Sequence, residues 1–313
     1  MKCLISFYLL TLILHSSSSA DWCYQAQANS GVHCIGPELW KEVNAQCGNT
    51  RQSPVNIATK KTVLDERLKP FNFTGYQNIF NGTIKNNGHT VEVDVSQNNT
   101  PTVSGGNLGD TYKPIQFHFH WGTDVGAGSE HTIDGEQYPM ELHMVHIKQR
   151  YNSLEEALND PSGVAALGFF IEESNSTNTN YDQLIQALKS IQNASQSINN
   201  ITAILNISIS QFILSEDKLT KYYRYNGSLT TPNCSEAVVW TVFENPIPLS
   251  REQLLAFSSQ LKFSDGNPMV GVFRPVQSRN GRLVYRSSGP AVLASALLLF
   301  TSIITAFSLS HLN

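Results

Sequence analysis

The chain has 313 residues, 41% of them hydrophobic and 15% charged, with a formal net charge of -4 at pH 7. That length can bury a full core. The near-neutral balance, with no basic stretch interleaved with aromatics, argues against a nucleic-acid partner, and the sparse charge suits a surface solvated partly by glycans.

In chain order, residues 1–20 read as a secretory signal peptide: Lys2 precedes an apolar run over 4–14, and Ser18-Ser19-Ala20 satisfies the small-x-small cleavage rule. The mature chain is then expected to begin at Asp21. Cys3 leaves with the signal, so Cys23, Cys34, Cys47 and Cys234 can form two bridges in an oxidising compartment, in any of three pairings. Asn72, Asn81, Asn98, Asn175, Asn193, Asn200, Asn206 and Asn226 each head an Asn-x-Ser/Thr triplet, which agrees with secretion.

Between residues 21 and 286 no linker, repeat or low-complexity run interrupts the chain, so one domain is expected. Short alternating runs predict strands over 90–95, 115–121, 141–147, 165–171 and 238–243, each bounded by Gly, Asn or Pro. Helical spacing is confined to three pieces: 153–158; 182–191, with Leu184, Ile185 and Leu188 on one face; and 250–261, where a Ser cap precedes Gln253 by three residues. Ser53-Pro54, read as a candidate cis bond, and Asn267-Pro268 mark turns. The fold class is mostly β with minor helices.

At the far end, Ser287-Ser288-Gly289 precedes roughly twenty apolar residues from Ala291, with no Lys or Arg after them. Residues 287–313 are expected to be the attachment site and removed tail of a glycosylphosphatidylinositol anchor, joined at Ser287 or Ser288. A single-pass helix is the alternative. The expected location is the extracellular face of the plasma membrane.

The stretch QFHFHWG, residues 116–122, carries the chemistry. On a strand Gln116, His118 and His120 share one face and Phe117, Phe119 and Trp121 the other. The aromatic face can enter a core, whereas the polar face is costly to bury unless a cation compensates it. MELHMVHIK, residues 140–148, offers a third imidazole: Glu141, His143 and Val145 share a face, and His146 points away. If the two strands are antiparallel neighbours, His118, His120 and His143 can meet at one metal. Three neutral imidazoles with an open fourth position describe catalytic zinc, because structural zinc is closed by four ligands. Gln116 and Glu141, two residues before His118 and His143, can hold the rings' other nitrogens. His131 and His146 read as buried, hydrogen-bonded histidines.

These residues resemble the α-carbonic anhydrase family over nearly the whole mature chain, from about 22 to 282. The motifs are RQSPVNI at 51–57, NNGH at 86–89, QFHFHWG, SEHTIDG at 129–135, ELHMVH at 141–146 and GSLTTPNC at 227–234. Among the family's isoforms the chain looks most like the membrane-anchored, isoform IV type. The resemblance implies a single domain around a twisted, mainly antiparallel ten-stranded sheet, with Cys23–Cys34 and Cys47–Cys234 bridges. It implies zinc on His118, His120 and His143, Thr230 orienting the zinc-bound hydroxide, and Glu130 accepting from the Thr230 hydroxyl. Val145, Ala166, Leu229, Val238 and Trp240 would form an apolar wall for carbon dioxide, Ala166 being smaller than the family's usual valine. Thr231 would line the bicarbonate site, His89 would shuttle protons, and Tyr24 and Asn86 would order the connecting water. Asn233 departs from the proline common in cytosolic relatives.

The expected activity is reversible hydration of carbon dioxide to bicarbonate and a proton. The other expectations are a membrane contact through the anchor, bicarbonate transporters as neighbours, a role in pH regulation and a monomeric chain. A non-catalytic carbonic-anhydrase-like binding domain is the alternative, opposed by the full histidine set with Thr230 and Glu130. A zinc peptidase would want HExxH or an equivalent base, and no HExxH occurs.

Overall fold

The alternating runs become strands in the computed structural model, which describes residues 21–96, 101–194 and 202–289. Among these, the strands are β1 (Asn56–Ile57), β2 (Val63–Leu64), β3 (Phe71–Thr74), β4 (Phe80–Asn86), β5 (Val91–Asp94), β6 (Thr102–Gly105) and β7 (Tyr112–Trp121). They continue with β8 (Thr132–Ile133), β9 (Met140–Lys148), β10 (Val164–Ser174), β11 (Thr202–Ile207), β12 (Tyr222–Gly227), β13 (Val238–Ser250) and β14 (Tyr285–Arg286). The expected signal peptide, most of the C-terminal tail, Asn98 and Asn200 lie outside the described residues.

One unbroken row, β11-β4-β5-β7-β9-β10-β13-β12-β14-β2, supplies ten strands, and β3 and β6 join it through β7 to make twelve. The sheet is mixed: β10 and β13 run parallel, as do β14 and β2, while the other pairs are antiparallel. The parallel pair is joined by the long connection over 175–237, which contributes β11 at one edge of the row and β12 beside β13; parallel neighbours need such a crossover. The ten-stranded, mainly antiparallel sheet that the resemblance implied corresponds to this row, and β3 and β6 extend it to twelve.

The sheet divides two apolar clusters. Phe117, Phe119, Trp121, Leu142 and Met144 enter the larger one. Helix Arg251–Gln260 closes that side, with Phe257 packed 5.2 Å from Phe119 and 5.4 Å from Trp121, ring centre to ring centre. Its N-terminus is a capping box between Ser250 and Gln253. The predicted 182–191 helix shortens to Asp182–Ala187 and continues as a 3-10 turn over Leu188–Ser190, and the 153–158 piece is one turn, Leu154–Ala157, capped by Ser153.

Both disulfides form, Cys23–Cys34 and Cys47–Cys234. The Ser53–Pro54 bond is cis. At the C-terminal end Ser287 is buried, its hydroxyl accepting from Tyr222 N and donating to Thr220 O at 2.9 Å each, while Ser288 is exposed. Among the described residues no helix is long and apolar enough to cross a membrane.

Candidate metal centre

Strands β7 and β9 are antiparallel neighbours in a register that sets His118 opposite His143 and His120 opposite Glu141. With a side-chain period of two, His118, His120 and His143 emerge on one face. One ligand atom from each lies within 4.8 Å of the others.

Each ring has one nitrogen held by an acceptor. His118 Nδ1 contacts Gln116 Oε1 at 2.8 Å, His120 Nδ1 contacts Val272 O at 3.0 Å, and His143 Nε2 contacts Glu141 Oε1 at 2.7 Å. The remaining nitrogens, Nε2 of His118 and His120 and Nδ1 of His143, are thereby fixed as lone-pair donors. His120 Nε2 is buried without a partner, the condition a cation would relieve. Burial lowers the pKa of all three rings, to about 3 for His118, so they are neutral and able to ligate at pH 7. The donor set fits a divalent metal of the zinc type.

Glu141 is the hub behind this cluster. Its Oε2 accepts from the backbone N–H groups of Glu130 at 2.9 Å and His131 at 2.8 Å, and its Oε1 meets His131 Nδ1 and His143 Nε2 at 2.7 Å each. Burial alone would raise its pKa, but His131 and His143 hold it well below the usual carboxylate range. His131 Nε2 is hydrogen-bonded to Tyr225 at 2.7 Å, and the Tyr225 hydroxyl donates to Ser53 Oγ at 2.9 Å. His131 is thus buried and bonded as expected, yet it shares a carboxylate with a candidate ligand, which the sequence pattern did not reveal.

Glu130 stands beside the ligands, its Oε1 3.4 Å from His120 Nδ1 and accepting from Arg274 N at 2.7 Å. Burial pushes its pKa well above the carboxylate range, opposed by Thr230 and the Arg274 N–H. Glu130 Oε2 is buried without a hydrogen-bond partner, and Thr230 is buried as well.

Beside the histidines, on the same face of the sheet, lies an apolar row. Ala166 on β10 is the register partner of Val145 on β9 and of Trp240 on β13, so three strands present one row. Val238 belongs to the same cluster, with Leu229 packed against it. The next row inward is His143, Gly168 and Val242. A Cβ on Gly168 would meet Glu141 Oε1 at 3.0 Å and His143 Cδ2 at 3.7 Å, so the site needs glycine there for space. An isolated glycine inside a strand-like run was the available signal.

The residues of the expected proton path are placed unevenly. The Trp22 and His89 rings are stacked, 3.8 Å apart and 13° from parallel, and burial lowers the His89 pKa to about 4. His89 is half-buried against the N-terminal segment, which the Cys23–Cys34 bridge ties down. The Asn86 amide is committed to backbone, donating to Lys262 O at 2.9 Å and accepting from Gly88 N at 3.0 Å. Tyr24 is buried close enough to Glu130 to feel its charge, and Thr231 is half-buried beside Thr230.

A family model described as eukaryotic-type carbonic anhydrase matches residues 35–288. Carbonic anhydrase 15 of Mus musculus is 36% identical over 301 residues, covering 93% of this chain and 91% of that one. Carbonic anhydrase 4 of Rattus norvegicus is 36% identical over 298 residues, 94% of each chain, and that of Oryctolagus cuniculus is 39% identical over 274 residues, 87% and 86%.

Proposed function

The chain belongs to the eukaryotic-type carbonic anhydrase family, and on that premise we propose a zinc-dependent enzyme at the outer cell surface that interconverts carbon dioxide and water with bicarbonate and a proton. The observation that carries the zinc assignment is the convergence of three imidazole nitrogens whose partner nitrogens are each already held. His118, His120 and His143 would hold the metal. Bound zinc supplies a water of lowered pKa as the nucleophile at neutral pH, a chemistry for which carbonic anhydrase is the standard case.

The protein's own groups do the rest. A Thr230 hydroxyl that donates to the free Glu130 Oε2 would offer only its oxygen as an acceptor, which would fix the direction of the attacking group. The row of Val145, Ala166 and Trp240, with Val238 and Leu229, holds the apolar substrate against that lone pair. Thr231 lines the bicarbonate position. Glu141 and Gln116 keep the rings oriented. His89 can pass protons to solvent once it swings from under Trp22, because the stacked, half-buried ring is held neutral at pH 7. Tyr24 borders the intervening water.

The extracellular assignment rests on the two disulfides, and Asn72, Asn81, Asn175, Asn193, Asn206 and Asn226 are exposed to accept glycans. Ser288 is exposed where Ser287 is buried, so of the two serines Ser288 is the more accessible candidate for lipid attachment. Bicarbonate transporters are the expected neighbours.

Zinc content and carbon dioxide hydration measured together on the wild type and His143→Ala test the site. The variant is expected to lose both, and unimpaired turnover would reject the ligand set. Release from cells by phosphatidylinositol-specific phospholipase tests the anchor, and retention of the protein on the membrane would favour a peptide span.

A further inference from the structure

Two groups of the metal centre hang from segment 272–277, which has no regular secondary structure. Val272 O holds the His120 ring at 3.0 Å, and Arg274 N donates to Glu130 Oε1 at 2.7 Å. An irregular segment needs external fixing to keep a site within the roughly 0.5 Å tolerance such chemistry demands.

The Arg274 side chain provides it. Only 1% exposed, it donates from Nη1 to Gln52 Oε1 and to Ser53 O at 2.9 Å each, and from Nη2 to Cys47 O at 3.2 Å. Its guanidinium carbon lies 5.3 Å from the Trp40 ring centre. Gln52 passes the connection on, donating from Nε2 to Cys234 O at 3.2 Å. Cys234 closes the loop that carries Thr230 and Thr231, and Ser53 and Ser228 exchange two further hydrogen bonds at 3.0 Å. One planar cation thus spans three pieces of chain: its own segment, residues 47–53 and the loop over 228–236.

We propose that Arg274 is a positioning residue for this reaction: through Gln52 it sets the Thr230 loop against Glu130, and through its own segment it sets His120. It touches neither metal nor substrate. The inference rests on the zinc-dependent reading above. Lysine cannot substitute, because a single ammonium lacks the fork that reaches Gln52, Ser53 and Cys47 together. Removing the guanidinium leaves three buried acceptors unpaired, and the segments lose their common reference.

The test uses the full chain as Arg274→Met, Arg274→Lys and Gln52→Met, assayed well below each variant's melting temperature. Arg274→Met is expected to lose about 10- to 100-fold both in zinc affinity, read by chelator competition on the metal-free protein, and in kcat. Arg274→Lys is expected to recover neither. Gln52→Met leaves the hold on Val272 intact, so it should lose about 10-fold in kcat with zinc affinity unchanged and KM unaltered. A folded Arg274→Met with wild-type zinc affinity and kcat overturns the proposal. So does Gln52→Met with wild-type kcat, and that variant decides alone should Arg274→Met not fold. A wild type that binds no zinc removes the functional reading itself, a different result from a normal wild type with normal variants.

Discussion

His146 shows how a buried imidazole can be read from both its burial and its titration. Its ring is bonded to the Tyr76 hydroxyl and to the carbonyls of Met144 and Ala165, and burial holds its pKa near about 4. Unfolded histidine takes up a proton near about pH 6.5, so the folded state's preference for the neutral ring stabilises fully above that pH. The contribution shrinks as pH falls through the window down to about 4. His146→Gln should therefore flatten part of the decline in urea midpoint across that interval, and parallel curves for variant and wild type would refute the assignment. Gly168→Ala belongs to the same scale. The added methyl would push against Glu141 and His143, so zinc affinity by chelator competition should drop about 10-fold while the fold persists. The candidate ligands were legible because strand period alone sorts His118, His120 and His143 onto common faces. The hold on His120 was not, because it comes from the Val272 carbonyl, and a backbone group carries no residue code.

Among elements, β7 and β9 could be read directly, since aromatic and polar side chains alternate along the first and Glu141, His143 and Val145 along the second. β13 was legible only to Phe243. Beyond it Pro246 falls at the register irregularity between Phe243 and Ile247, and the strand then resumes regular pairing with β10 from Ile247 to Ser250, Pro248 opposite Glu172. The parallel pairing of β10 with β13 is a property of the connection and left no local signal. Helix Arg251–Gln260 is the reverse case, because its start is written in the Ser250 and Gln253 pair. Ser250→Ala removes the side chain that accepts from Gln253 N and should cost about 1 kcal/mol, seen as a lower melting temperature. Carbon dioxide hydration at 25 °C should not change, and a large loss would mean that the helix does more than close the core.

Across the whole molecule the two disulfides are unequal. Cys47–Cys234 joins residues 187 apart in sequence and Cys23–Cys34 residues 11 apart. Loop-closure entropy assigns about 5 kcal/mol to the first and about 3 kcal/mol to the second. Replacing both cysteines of the long bridge by alanine should lower the urea midpoint more than replacing those of the short one, and the opposite ranking would place the stabilisation in native contacts. The C-terminal end has a mechanical counterpart. A load applied beyond Gly289 enters at Ser287, which is fastened to Tyr222 and Thr220, and passes into β14 between β12 and β2. Strands β12, β13 and β10 stand between that point and β9. Tension is borne by ladders at one flank, so the molecule can be tugged or swung from its tail while the three imidazoles stay at rest.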